Sequence, residues 1–272
     1  MVQKKIYILV KAYPEKSKKY GSSICSAGIT TDGKWIRIYP IDLNYYSLNR
    51  EVLKKWNLIE SEVSKAREKI FRKESFKIKE KSIKLLDDSL AKIGTSNHQK
   101  KKIWEQRNKL IAPLLNKSIE ELKELQSKYS TSLGIIKPKK FKFQLRKRIN
   151  ELEVIKSKTI QKNLNGKKMI IPDQIEKIFS YKFWCDDTRC NGHDMICVDW
   201  EMLEAYRNWS RKYKDPDELE EKLIKKFDKY MKKRNLHFIV GTTAQFGTWV
   251  IIGLYYPPKE KHNFQNINQF FA

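Results

Sequence analysis

Three of the four cysteines and one of the four histidines fall within thirteen positions, as Cys185, Cys190, His193 and Cys197. Thiolate sulfur and imidazole nitrogen are the donors of closed, four-coordinate zinc sites. The spacing Cys-x4-Cys-x2-His-x3-Cys departs from the retroviral-type knuckle and from zinc fingers, but it gathers three donors around one turn. Tyr181, Phe183 and Cys185 alternate along one strand, Met195, Cys197 and Asp199 alternate along the next, and DDTRCNGHD between them is turn chemistry. The expectation is a hairpin with a structural Zn²⁺ held by Cys185, Cys190, His193 and Cys197. Cys197 is the open position. On a strand it either completes the set or points into the core, leaving the fourth place to a residue from elsewhere such as His237. The competing reading is two half-buried thiols beside a turn histidine, with no metal.

The same hairpin offers a second chemistry. His193, Asp199 and Glu201 form the alternative catalytic set of a metal-dependent nuclease, holding Mg²⁺ for phosphodiester cleavage. Against it, Glu201 opens a helix, where an acid is favoured by the dipole alone, and Asp199 suits a turn or cap. Walker P-loop, Gly-x-Gly-x-x-Gly and Gly-x-Ser-x-Gly motifs are absent, as is the zinc-deaminase signature. The preferred reading is therefore not an enzyme.

Charge points to the partner. Against 32 acidic residues stand 57 Lys and Arg, a net charge of +25, and such a field attracts polyanions. Two stretches concentrate cations with aromatics. Trp35, Arg37 and Tyr39 share one face of a strand opposite Ile36 and Ile38, an arrangement suited to base stacking and phosphate pairing. Alternatively the two rings face a barrel core with Arg37 at its edge. Seven of the twelve residues from 137 to 148 are Lys or Arg: Lys137, Lys139, Lys140, Lys142, Arg146, Lys147 and Arg148. Phe141 and Phe143 alternate among them, giving one apolar and one cationic face. The alternative is a solvated edge strand protected by lysines. The expected partner is single-stranded or structured DNA or RNA. A place as accessory subunit of a prokaryotic defence or mobile-element nucleoprotein complex is a further alternative.

The elements that must position these residues divide into two groups. Residues 5–11, 23–29 and 35–40 read as strands, with Asp32-Gly33 a hairpin turn. A short helix over 50–56 and further strands near 58–63 and Phe76 follow. The segments SICSAGI, the Asp-Gly turn and Lys34-Trp35-Ile36-Arg37 resemble prokaryotic proteins with dual OB-type domains, over about thirty residues. That resemblance implies a small β-barrel, a platform for single strands, and no catalysis; the remainder looks like an uncharacterised prokaryotic family. Ile103, Trp104, Leu110, Ile111, Leu114 and Leu115 fall at helical spacing, with Pro113 at a kink or last turn. Ser118 to Glu121 has capping-box spacing. The fold class expected is α+β: an OB-like module over 1–150 with a helical insertion at about 80–130, and an α+β module over 165–258 built on the zinc hairpin. A linker falls in 149–176 and a flexible tail in 259–272. The first apolar run, 6–10, is too short for a signal or a membrane span. Four clustered cysteines fit a reducing cytoplasm better than a disulfide framework.

Overall fold

The computed structural model describes residues 1–12, 16–17, 21–67, 71–147, 175, 177–243 and 245–259. Strands β1 (Val2–Ala12), β2 (Lys16–Ser17), β3 (Gly21–Thr30) and β4 (Trp35–Asp42) open the chain. Asp42 then caps α1 (Leu43–Leu48) by accepting from the backbone N–H of Asn44 and Tyr45. The helix therefore starts seven residues, about two turns, before the expected 50–56, at the point where Asp42 supplies its cap. β5 (Leu58–Lys65), β6 (Ser75–Ile78) and β7 (Lys84–Asp87) follow.

These strands pair in the order β1-β3-β4-β6-β5, and β5 returns to β1, closing a five-stranded barrel. Every barrel pairing is antiparallel except β4 with β6. The two-residue alternation explains the interior. Ile6 and Ile8, Ile36 and Ile38, and Ile59 and Val63 all project inward into one buried cluster with Ile24 and Ile41. The opposite faces of β1 and β3 are apolar too: Leu9, Val10, Ala27 and Ile29 are buried against the other half of the molecule.

That half begins with α2 (Asn97–Ile111), β8 (Leu115–Asn116), α3 (Ile119–Tyr129), β9 (Leu133–Ile136) and β10 (Lys140–Lys147). It continues through β11 (Lys177–Trp184), β12 (His193–Ile196), α4 (Trp200–Lys212), α5 (Pro216–Ile224), β13 (His237–Thr242) and β14 (Trp249–Tyr255). As the proline predicts, α2 ends at Ile111 and passes into a 3₁₀ turn at Ala112–Leu114. The four-stranded sheet β14-β13-β9-β8 forms the middle layer. Its Ile135, Ile239 and Ile252 face the barrel, and Ile136, Phe238 and Ile251 face the three-stranded sheet β10-β11-β12 with α3 to α5. A strand buried on both faces must be apolar throughout, which is why β13 and β14 read as continuous runs.

Two expectations about division are affected. Residues 115–136 pair with the C-terminal strands rather than extending the barrel module. The expected linker falls largely on residues outside those described, as does most of the tail. Among the described residues no helix is long and apolar enough to cross a membrane.

Candidate metal centre and basic face

The hairpin forms as expected. β11 and β12 pair with Phe183 opposite His193 and Tyr181 opposite Met195, and residues 185–192 make the connecting loop. Asp187 holds that loop, accepting from Arg189 N–H (3.0 Å) through its side chain and from Cys190 N–H (3.0 Å) through its backbone carbonyl. Gly192 takes φ of +97° in close contact with the Trp184 ring, a position a Cβ would clash with.

The donors at the tip are Cys185, Cys190 and His193, and the fourth comes from another element: Glu120, in the first turn of α3. One atom from each of these four lies within 4.8 Å of every other, so the group could hold a metal ion. Cys190 Sγ is 3.3 Å and Glu120 Oε1 3.1 Å from His193 Nε2. The edges of a tetrahedron with zinc's bond lengths are about 3.3–3.8 Å, so small movements suffice. Cys185 N–H donates to Cys190 Sγ at 3.2 Å, an orientation that supports a thiolate. Glu120 Oε2 is buried without a hydrogen-bond partner among the described residues. Burial pushes the Cys185 thiol up to about 12 and His193 below its ordinary value. A thiolate here consequently needs a positive charge beside it, which a divalent cation supplies.

Cys197 is not in this group. It is 3 % exposed, bridges to Ile251, and is pushed well up by burial, as a core thiol is. His237 does not replace it: its ring Nδ1 lies 2.9 Å from Asn235 O, at the start of β13. Glu120 escaped sequence reasoning because a first-turn glutamate after Ser118 is already accounted for by capping and dipole. In fact Ser118 Oγ accepts from Glu121 N–H (3.1 Å) and donates to Asp187 Oδ2 (2.7 Å), tying α3 to the hairpin loop.

Asp199 and Glu201 do not join His193 in a metal-sized group among the described residues. No second metal-sized group of His, Cys, Asp or Glu occurs among the described residues. Asp199, 2 % exposed, caps α4 by accepting from Met202 N–H (2.9 Å), and also accepts from Leu254 N–H (3.2 Å). Lys55 from the barrel half closes the arrangement, 3.3 Å from Asp199 and 2.8 Å from Glu201. Burial opposes the charge on Lys55, but the two carboxylates hold its pKa well above the ordinary lysine value.

The cationic stretches separate. Arg37 is 4 % exposed and donates to Ser132 O (3.0 Å). Tyr39 lies under the Arg72 guanidinium, 6.0 Å away, and Arg72 donates to Thr242 O (3.1 Å). This face of β3 and β4 is thus covered by the second half, and Trp35 remains half-buried at its margin. In contrast β10 is an edge strand of its sheet, with Phe143 in the core and Lys140, Lys142 and Arg146 exposed. Lys142 stands opposite Lys182 and Lys140 opposite Trp184. The Lys140 and Lys182 ammoniums are 4.0 and 5.7 Å from the Trp184 ring centroid. Arg146 pairs with Asp194 (2.5 Å), and exposed Lys139 with Asp186 (3.3 Å). Lys137 is exposed just before the strand. Lys147 ends it, and Arg148 lies outside the described residues. Lys182 and Trp184 were legible as the partners of the inward Tyr181 and Phe183 on an alternating strand.

Residues 2–113 match a family model described as Domain of unknown function (DUF8758), and residues 115–271 one described as Domain of unknown function (DUF8757). The chain belongs to the latter family, whose model spans more than half of it. No curated protein matches the chain.

Proposed function

We propose that this protein binds single-stranded or structured nucleic acid on the outer face of its three-stranded sheet, and that a structural Zn²⁺ at Glu120, Cys185, Cys190 and His193 fixes that sheet. One observation carries the reading: Trp184 is flanked by Lys140 and Lys182, with Lys142 directly across from Lys182. Like charges opposite each other on neighbouring strands repel, and a phosphate between them relieves the repulsion. Lys140 lies over the Trp184 ring face, a cation–π contact that an incoming base would exchange for stacking while the released ammonium pairs with the backbone phosphate. The net charge of +25 adds long-range attraction. The barrel is OB-like in its strand order, its single parallel pairing and the helix between its third and fourth long strands. The β3 and β4 face on which OB barrels commonly hold oligonucleotides is, however, covered by the second half, so the binding surface proposed is the three-stranded sheet.

The zinc supports the face mechanically. His193 opens β12, Cys185 follows β11, and Glu120 anchors both to α3. Four protein donors would leave no position open for water or substrate, and it is that closure, not the donor types, which argues for a stapling role.

Fluorescence anisotropy with labelled single-stranded DNA and RNA over a salt series tests the proposal. Lys140→Ala, Lys142→Ala and Lys182→Ala together weaken binding and flatten the log–log salt slope by about 2, from about 0.7 per neutralised phosphate. An unchanged slope in the triple variant means that the lysines only protect a sheet edge.

A further inference from the structure

A cleft of about 530 Å³ separates the margin of the barrel from α3 and β9, and its walls include Trp35, Phe76, Leu133, Glu74 and Thr131, with Lys34 and Lys73 among the lining side chains. Glu74 is 4 % exposed. Its Oε2 accepts from the Ser132 N–H (3.0 Å) and hydroxyl (2.7 Å), whereas its Oε1 has no hydrogen-bond partner among the described residues. Thr131 Oγ1, on a residue 6 % exposed, is unpartnered as well. A buried carboxylate oxygen without a donor is costly. Since Oε1 is closed to solvent, a ligand's N–H reaches it only when the Glu74 carboxylate turns toward the cleft; the buried Arg37 Nε–H has no hydrogen-bond partner among the described residues either. The cleft is not short of positive charge: the buried Arg37 guanidinium already interacts favourably with Glu74.

We propose that this cleft receives one nucleobase, stacked on Trp35 with an amino or imino N–H donated to Glu74 Oε1 and its phosphate toward Lys34 and Lys73. A flat aromatic wall, a buried acceptor and a cationic rim are the three parts such a ligand needs, and the volume lies in the usual range for small-molecule sites. The face that an OB barrel offers to a strand is covered here by Ser132 and Thr242, through Arg37 and Arg72. The cleft is what that face leaves open. A base carried on a strand deepens the nucleic-acid reading and rests on it; a free nucleotide presents the same chemistry without it.

Isothermal titration of the full chain with AMP, GMP, CMP and UMP, and with single-stranded oligomers of each base, separates the possibilities. The variants are Glu74→Gln, which can keep an oxygen toward Ser132 while turning an N–H₂ into the cleft, and Trp35→Leu, which keeps apolar packing without a stacking surface. Each is expected to weaken base-dependent binding about ten-fold, with near-ultraviolet circular dichroism confirming the fold. Tighter binding of an oligomer than of its mononucleotide, lost when the bases are replaced by abasic sites, assigns the ligand to a strand. Equal affinity assigns a free nucleotide. If the triple lysine variant binds oligomers as the parent does while mononucleotides still need Glu74 and Trp35, the basic-face reading fails and the cleft stands. Binding of every base unchanged in both cleft variants, or no binding of any mononucleotide or oligomer, overturns the proposal.

Discussion

At the scale of single residues, the hairpin shows how far spacing alone carries. Cys185, Cys190 and His193 cluster in sequence because one turn brings them together, and their meeting was legible. Glu120 lies in another element, and only the packing of α3 on the hairpin loop, through Ser118 and Asp187, places it there. Its substitution supplies the decisive comparison with Cys197. Elemental analysis of protein purified without chelator should find about one zinc per chain in the parent and in Cys197→Ser. Cys185→Ser and Glu120→Ala should lose it; equal loss in Cys197→Ser would restore the spacing-based set. A second residue has a pH signature. Lys11, 7 % exposed, donates to Tyr46 Oη and Leu53 O, both at 3.1 Å. Burial pulls its pKa from 10.5 to about 8, against attraction from Glu201 and Asp199 and with repulsion from Lys55 and Arg50. Between those values the unfolded chain binds more protons than the folded one, so this residue's contribution to stability rises with pH. Below about 8 both states are charged and the burial penalty is present in full. Raised thiol and phenol values at Cys185, Cys197 and Tyr46 act oppositely at alkaline pH, so the parent must be compared with Lys11→Met. From about pH 7 to about pH 10 the parent should gain about 2 kcal/mol relative to the variant in urea unfolding. A constant difference would show that the fold leaves the Lys11 pKa at its unfolded value.

At the scale of elements, alternation and capping made the strands and most helix starts legible, while partners across the molecule were not. Ile36 and Ile38 were correctly set against Trp35, Arg37 and Tyr39. The sequence pattern could not show that the second half covers the latter face, because Arg37 and Arg72 donate to backbone carbonyls far away in the chain. The start of α4 makes the same point. An Asp before an amphipathic run announces a cap, and Asp199 is one. What no local pattern announces is that its other oxygen meets Leu254 N–H and Lys55. Asp199→Ala therefore removes three bonds at once: a cap, a buried backbone partner, and one of two carboxylates facing Lys55. The expected cost is about 3–5 kcal/mol in equilibrium unfolding. Asp199→Asn, able to keep the cap, should lose less. A loss below about 1 kcal/mol for the alanine would mean that the ion pair and the Leu254 bond contribute nothing net.

At the scale of the whole molecule, two family models abut near residue 114, yet the physics joins what they divide. The middle sheet shares one apolar cluster with the barrel, in which Leu9, Val10, Ala27 and Ile29 meet Ile135, Ile239, Val250 and Ile252. β14 crosses β1 so closely that a Cβ on Gly253 would stand 2.0 Å from Val10 Cγ1. Lys55, Arg37 and Arg72 add polar links across the same boundary. A barrel cut away at 113 would leave that cluster face open, an apolar patch that a soluble monomer rarely tolerates. Residues 1–113 expressed alone should consequently aggregate or bind a hydrophobic dye, whereas the full chain unfolds in a single transition. Gly253→Ala forces β1 and β14 apart and provides the test within the intact protein. If the halves are one cooperative unit, hydrogen exchange in the variant should rise together in the barrel strands and in β13. Faster exchange confined to β14 and its neighbours, with the barrel still protected, would mean that the two family domains hold their folds separately and merely touch.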